Sequence, residues 1–128
     1  MADINVSLVA VDRSIWSGSA QMIVARTVEG DIGIMAGHSP LLAQLREGFA
    51  ARIVQDDGHV FGVAVHGGFL SVTKDGVTIL AEDAQLSDEI DVSRARQAYE
   101  RAKAEGTDSA EAELRRAQAQ LLATGQDL

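Results

Sequence analysis

Two rhythms of apolar residues divide this chain. Up to about Leu86 they come as short β-branched runs, at residues 4–11, 21–27, 50–55, 59–65, 69–73 and 77–81, separated by turn formers. That is the pattern of strands in an antiparallel sandwich or barrel. Phe69, Ser71 and Thr73 alternate with Leu70 and Val72, whereas several other runs are apolar on both sides, as two sheets packed face to face require. Asp57-Gly58 predicts a hairpin with a type I′ turn, and Lys74-Asp75-Gly76 repeats the device. Trp16 and Phe69 are expected in the core.

From Ser87 the rhythm changes to that of helices, written in Ala, Glu, Gln, Arg and Leu. Asp91 can cap a first helix that carries Val92, Ala95, Ala98 or Tyr99, and Ala102 along one face and stops at Gly106. Thr107-Asp108-Ser109 offers a new cap for a second helix over 110–123, with Leu114, Ala117 and Leu121 on one face and Gly125 after it. The short connection makes an antiparallel hairpin, and its mostly alanine stripes bury little area. The reading is therefore a β domain over 1–86 and a detachable helical hairpin over 87–128.

Composition narrows the function. The chain has 128 residues, 46% of them hydrophobic, with 11 basic against 19 acidic for a net charge of −8. Such a charge repels nucleic acid and anionic lipid. No cysteine is present, which removes disulfides, thiolate metal sites and a Cys nucleophile. The amino terminus shows no basic or long apolar stretch of a signal peptide. No phosphate-cradling loop followed by Lys-Ser/Thr occurs, Gly30, Gly33 and Gly37 do not make a dinucleotide fingerprint, and no GxSxG elbow is found. His38, His59 and His66 are scattered rather than spaced as metal ligands. Neither catalytic residues, metal nor a resident cofactor is expected. One polar group stands out: Asp91, Arg94 and Arg101 can share a helical face, with Arg115 and Arg116 joining from the second helix. Such a set suits a polyphosphate, and equally an ordinary solvated helix surface.

Three stretches together resemble the epsilon subunit of bacterial F-type ATP synthases. They are Gly30-Asp31-Ile32-Gly33-Ile34-Met35-Ala36-Gly37-His38-Ser39-Pro40-Leu41-Leu42, then Gly67-Gly68-Phe69-Leu70-Ser71-Val72, then Ile90-Asp91-Val92-Ser93-Arg94-Ala95. The resemblance implies a ten-stranded antiparallel β-sandwich followed by two helices. It implies a non-catalytic rotor subunit of the central stalk of a proton-translocating synthase, peripheral on the cytoplasmic face of the bacterial plasma membrane. The partners it implies are the gamma subunit, the c-subunit ring and the alpha/beta catalytic head, and the isolated chain is expected to be a monomer.

Within that resemblance the sandwich couples ring rotation to gamma, and the tail either folds on the sandwich or extends to hinder ATP hydrolysis. Gly37, His38, Ser39, Pro40, Leu41 and Leu42 are its implied partner contact, with exposed leucines forming a patch. Some family members bind ATP in the folded hairpin. Here Ile90, Asp91, Arg94, Ala95, Arg101 and Arg116 match that nucleotide site, but Gln120 replaces an arginine and Gln85 an acidic residue. Weak regulatory ATP binding at most is expected, since one lost charge-assisted contact weakens binding about ten- to a hundredfold. The alternative function is a free-standing β-sandwich ligand-binding or adaptor domain whose helices serve oligomerisation.

Overall fold

The computed structural model describes residues 3–126. Eight strands come first: β1 (Ile4–Ala10), β2 (Arg13–Ala20), β3 (Met22–Thr27), β4 (Gly30–Met35), β5 (Leu41–Gln44), β6 (Ala50–Val54), β7 (Val60–Thr73) and β8 (Gly76–Leu86). A 3-10 turn, Ser87–Glu89, leads into α1 (Val92–Glu105) and α2 (Asp108–Ala123).

Hydrogen bonding links the strands in the order β2-β1-β8-β7-β6-β3-β4, with β5 also on β7. The 14-residue β7 changes partner along its length, pairing with β6 through residues 60–64 and with β5 through residues 69–72. β8 follows β7 through this bend and adds β1 along residues 77–81. The sheet thus folds over itself into two layers, hinged at Gly67 and Gly68, whose φ values are +77° and +148°. A Cβ on Gly68 would stand 2.3 Å from the Leu80 carbonyl oxygen, so only glycine lets the two strands bend together there.

This arrangement corrects the expected ten-stranded antiparallel sandwich on two points. There are eight strands among the described residues, because β7 and β8 run unbroken through both layers and each does the work of two shorter ones. The β1–β8 pairing is parallel. The β6–β7 turn also differs from the expected type I′. No described non-glycine residue has positive φ, so only Gly58, at +87°, supplies it. The loop closes with Gln55 N–H donating to the His59 carbonyl at 2.8 Å, and the Asp57 carboxylate accepts from His59 N–H at 2.9 Å. A three-residue loop with a left-handed glycine results.

Between the layers Leu8, Ile23, Ile34, Ile53, Leu70 and Ile79 are fully buried in one cluster. Trp16 packs half-buried against that cluster, edge-on to Phe61 at 5.1 Å between ring centroids. Phe69 corrects the expectation of a core position, being 47% exposed on the outer face.

Both helices are capped as their sequence suggests. Asp91 accepts from Arg94 N–H at 3.1 Å, Gly106 ends α1 in the left-handed region, and Thr107 accepts from Ala110 N–H at 3.2 Å. α2 lies on β7 and β6, and α1 packs chiefly on α2. Contact with the sheet is close: Ala119 and Ala123 cluster with Ala64, and a Cβ on Gly62 would stand 2.0 Å from the Ala123 carbonyl oxygen.

Candidate functional site

Two surfaces carry the residues singled out by sequence. The first is the seam where the hairpin meets β8. Side chains two apart on a strand are about 6.6 Å apart along it, and side chains four apart on a helix about 6 Å, so two such pairs stay in step. Asp83 and Gln85 of β8 use this match against Arg116 and Gln120 of α2. Arg116 Nη2 reaches Asp83 Oδ2 at 2.8 Å, and Gln120 Nε2 donates to Gln85 Oε1 at 2.7 Å. The Arg116 guanidinium holds Asp83 below the usual carboxylate range.

Beside these pairs is a cavity of about 350 Å³. Ile90, Asp91, Arg94, Ala95 and Arg116 line it together with Gln85 and Gln120. Arg101 does not: its Nη2 is turned to Glu113 Oε1 at 2.9 Å. Nor does Arg115, which pairs with Glu111 at 2.6 Å and Glu47 at 3.5 Å. The charged lining consists of Arg94 and Arg116 against Glu89, Asp91 and Glu113. Arg116 is already paired, and Asp91 already accepts the Arg94 backbone N–H. The arrangement ties a helix to a sheet more readily than it neutralises a polyphosphate. Among the described residues no three acidic or histidine side chains cluster as a metal site requires.

The second surface is the outer face of the layer that contains β5. Residues 36–40 join β4 to β5, with Gly37 at φ +87° and His38 N–H donating to the Met35 carbonyl at 3.2 Å. The His38 Nδ1 lies 2.7 Å from the Ser39 carbonyl. Gly37, Ser39, Pro40 and Leu42 are exposed and His38 is partly so. Leu41 turns inward onto the core, so only Leu42, 71% exposed, offers the expected leucine surface. Sequence reasoning missed what lies beside it. Phe69 pairs across to Leu80, and Leu80 pairs to Val9, on the outward side of β7, β8 and β1. Phe69 and Leu80 are both about half exposed. The signal was present in the sequence, because Phe69 alternates in phase with Ser71 and Thr73, and those face solvent.

Residues 3–87 match the ATP synthase delta/epsilon chain beta-sandwich domain. The chain is 52% identical over 110 residues to the ATP synthase epsilon chain of Streptomyces avermitilis, covering 86% of this chain and 88% of that one. The ATP synthase epsilon chain of Rhodococcus opacus is 55% identical over 96 residues, covering 75% and 79%. The chain belongs to the ATP synthase epsilon chain family.

An epsilon chain is a non-catalytic subunit, and this one is no enzyme by itself. Its fold superposes on a chain of the Euglena gracilis mitochondrial ATP synthase OSCP/F1/c-ring cryo-EM structure with a TM-score of 0.74. That match covers 98% of this epsilon chain and 79% of the other at 27% identity. A chain of the Tetrahymena thermophila mitochondrial ATP synthase shares the fold at a TM-score of 0.54 and 17% identity, covering 72% of this chain and 69% of that one. No helix among the described residues is long and apolar enough to cross a membrane.

Proposed function

We propose that this epsilon chain works in the central stalk of a proton-translocating F-type ATP synthase, on the cytoplasmic face of the bacterial plasma membrane. Its sandwich couples the c-ring to gamma, and its hairpin restrains ATP hydrolysis by leaving the sandwich for the alpha/beta head. The observation that carries this reading is the division of the molecule. One layer presents Phe69, Leu80 and Leu42 outward beside the turn at Gly37, His38, Ser39 and Pro40, an apolar strip with a polar rim of the kind partners cover. The other layer holds the hairpin through alanines and a few polar ties.

Gamma is assigned the apolar strip together with the turn beside it at Gly37, His38, Ser39 and Pro40. The seam cavity is assigned a structural role first. Ile90, Asp91, Arg94, Ala95 and Arg116 lie together, yet Arg116 and Gln120 are committed to β8 and the lining carries more carboxylates than guanidiniums. ATP binding there is weak at most. An ATP titration of Arg94→Ala beside the native chain checks this, and a micromolar affinity lost in the variant sinks it.

The deciding experiment adds the chain to an epsilon-depleted catalytic head and follows ATP hydrolysis. Inhibition by the native chain, lost on truncation after Asp88 while gamma binding persists, supports both roles. Loss of gamma binding in Phe69→Glu/Leu80→Glu, with native-like melting, assigns the strip. Failure of the native chain to bind gamma at all overturns the coupling role assigned to the sandwich.

A further inference from the structure

On the side of β7 that faces α2, positions 62, 64 and 66 hold glycine, alanine and histidine. The first two are small enough for helix and strand to touch, and His66 is the large titratable group at the edge of that contact. Its Nε2 lies 3.2 Å from Gln85 Oε1, the same oxygen that accepts from Gln120 Nε2 at 2.7 Å. One carboxamide oxygen thus joins β7, β8 and α2. The tie needs Nε2 to donate, which the neutral ring does with a proton on that nitrogen.

Charged groups approach His66 from each neighbouring element: Arg116 from α2, Asp83 opposite it on β8, and Glu47 from the turn before β6. Each carboxylate already faces an arginine. Asp83 holds Arg116 at 2.8 Å, and Glu47 lies 3.5 Å from Arg115. Burial pushes the ring below its ordinary value and Arg116 adds to this, while Gln85, Asp83 and Glu47 oppose. A protonated ring keeps its hydrogen bond to Gln85 but sets a second cation beside the Arg116–Asp83 pair, directly across from His66 on β8, where it competes for the carboxylate that ties α2 down.

We propose that His66 is an acid-sensitive latch: protonating its ring loosens the docked hairpin while the sandwich remains folded. The inference rests on the reading of the hairpin as the regulatory, movable part. The docked state binds the proton less tightly than the released state. Docking is therefore strongest above the ordinary imidazole value of about 6.5 and weakens as pH falls below it, levelling off once the docked ring is itself protonated.

Amide hydrogen exchange on the full chain at about pH 7.5 and about pH 5.5, corrected for intrinsic rates, tests this, with an expected loss of up to tenfold per unit of pKa difference. Protection of α2 should fall relative to that of Ile53 and Ile79. In His66→Gln, a neutral donor at both pH values, the ratio should not move. In Gln85→Glu the carboxylate receives the imidazolium, so acid should no longer loosen α2. Loosening that persists in His66→Gln, or α2 protection insensitive to pH in the native chain, overturns the proposal. Should His66→Gln not fold, a ring titration of the native chain by NMR decides: an imidazole value at or above the ordinary one overturns the latch. None of these outcomes touches the stalk assignment, which gamma binding tests separately.

Discussion

Leu70 in the sandwich and Ala119 in the hairpin are both fully buried, yet they bury very different amounts of apolar surface. The sandwich joins its layers with Leu8, Ile23, Ile34, Ile53, Leu70 and Ile79, each contributing about 1.5–3 kcal/mol of burial. The hairpin contributes less: Ala119 and Ala123 meet Ala64 and Gly62, with Ala50 and Ile90 partly buried against them, and Leu121 is the large side chain that α2 buries fully. Each alanine methyl contributes about 0.8 kcal/mol. The weaker contact is supplemented by directional ties: Arg116–Asp83, Gln120–Gln85, and Gln118 Nε2 to the Gly48 carbonyl at 2.7 Å. A small apolar contact with polar ties holds a position and can be released. A large interdigitated core is lost only with the fold itself.

The largest break in this comparison comes from Leu70→Ala. It should lower sandwich stability by about 2–5 kcal/mol, with sheet and hairpin unfolding together in a urea melt. A loss under about 1 kcal/mol would show that the layers are not joined by that cluster.

Gly62→Ala should act on the other region. The backbone of Gly62 is not in the left-handed region, so alanine suits the strand itself, but its Cβ would stand 2.0 Å from the Ala123 carbonyl oxygen. Overpacking of this kind costs about 1–3 kcal/mol, which here falls on docking. The expected result is rapid exchange of α2 amides with an unchanged sandwich melt. A sandwich melt that drops as far as helix protection would erase the distinction between the two regions.

Legibility in the sequence followed the same division. The helices were readable to their caps, because Asp91, Gly106 and Thr107 act locally and the structure uses each as its side chain or backbone predicts. The strands were readable as runs, but their continuity was not. Gly67-Gly68 reads as a break, whereas the chain uses its positive φ to carry β7 from one layer to the other. The parallel β1–β8 pairing is a non-local choice that no periodicity reports. Of the site residues, Arg94 and Arg116 converge as spacing allows, while Arg101 is captured by Glu113 on the facing helix. Phe69 was misplaced because its size was weighed above its phase in the alternation.

Thr107→Ala sharpens the comparison from within the hairpin. It removes the side-chain acceptor for Ala110 N–H, leaving only the Thr107 carbonyl at 3.1 Å, and should cost about 1 kcal/mol, fraying the start of α2. Since α1 packs chiefly on α2, hairpin amides should exchange faster while Ile53 and Ile79 do not change. Equal loss in both regions would mean that the hairpin and sandwich unfold as one unit.

The smallest expected effect belongs to Asp83→Asn. Asp83 and Arg116 are 39% and 46% exposed, so solvent screens the pair and its worth is about 0.2–1 kcal/mol, less at high salt. The hydrogen bond from Arg116 holds Asp83 below the ordinary carboxylate value. Its contribution is therefore present in full above about pH 4 and fades as pH falls through the lowered value. His66 acts at higher pH, between the ordinary imidazole value of about 6.5 and its own lowered one. Docking of α2 followed by exchange against pH should accordingly weaken in two steps. Asp83→Asn should abolish the lower step and leave the upper one, because the asparagine no longer titrates while the His66–Gln85–Gln120 tie remains. Loss of the upper step as well would make the two ties a single network.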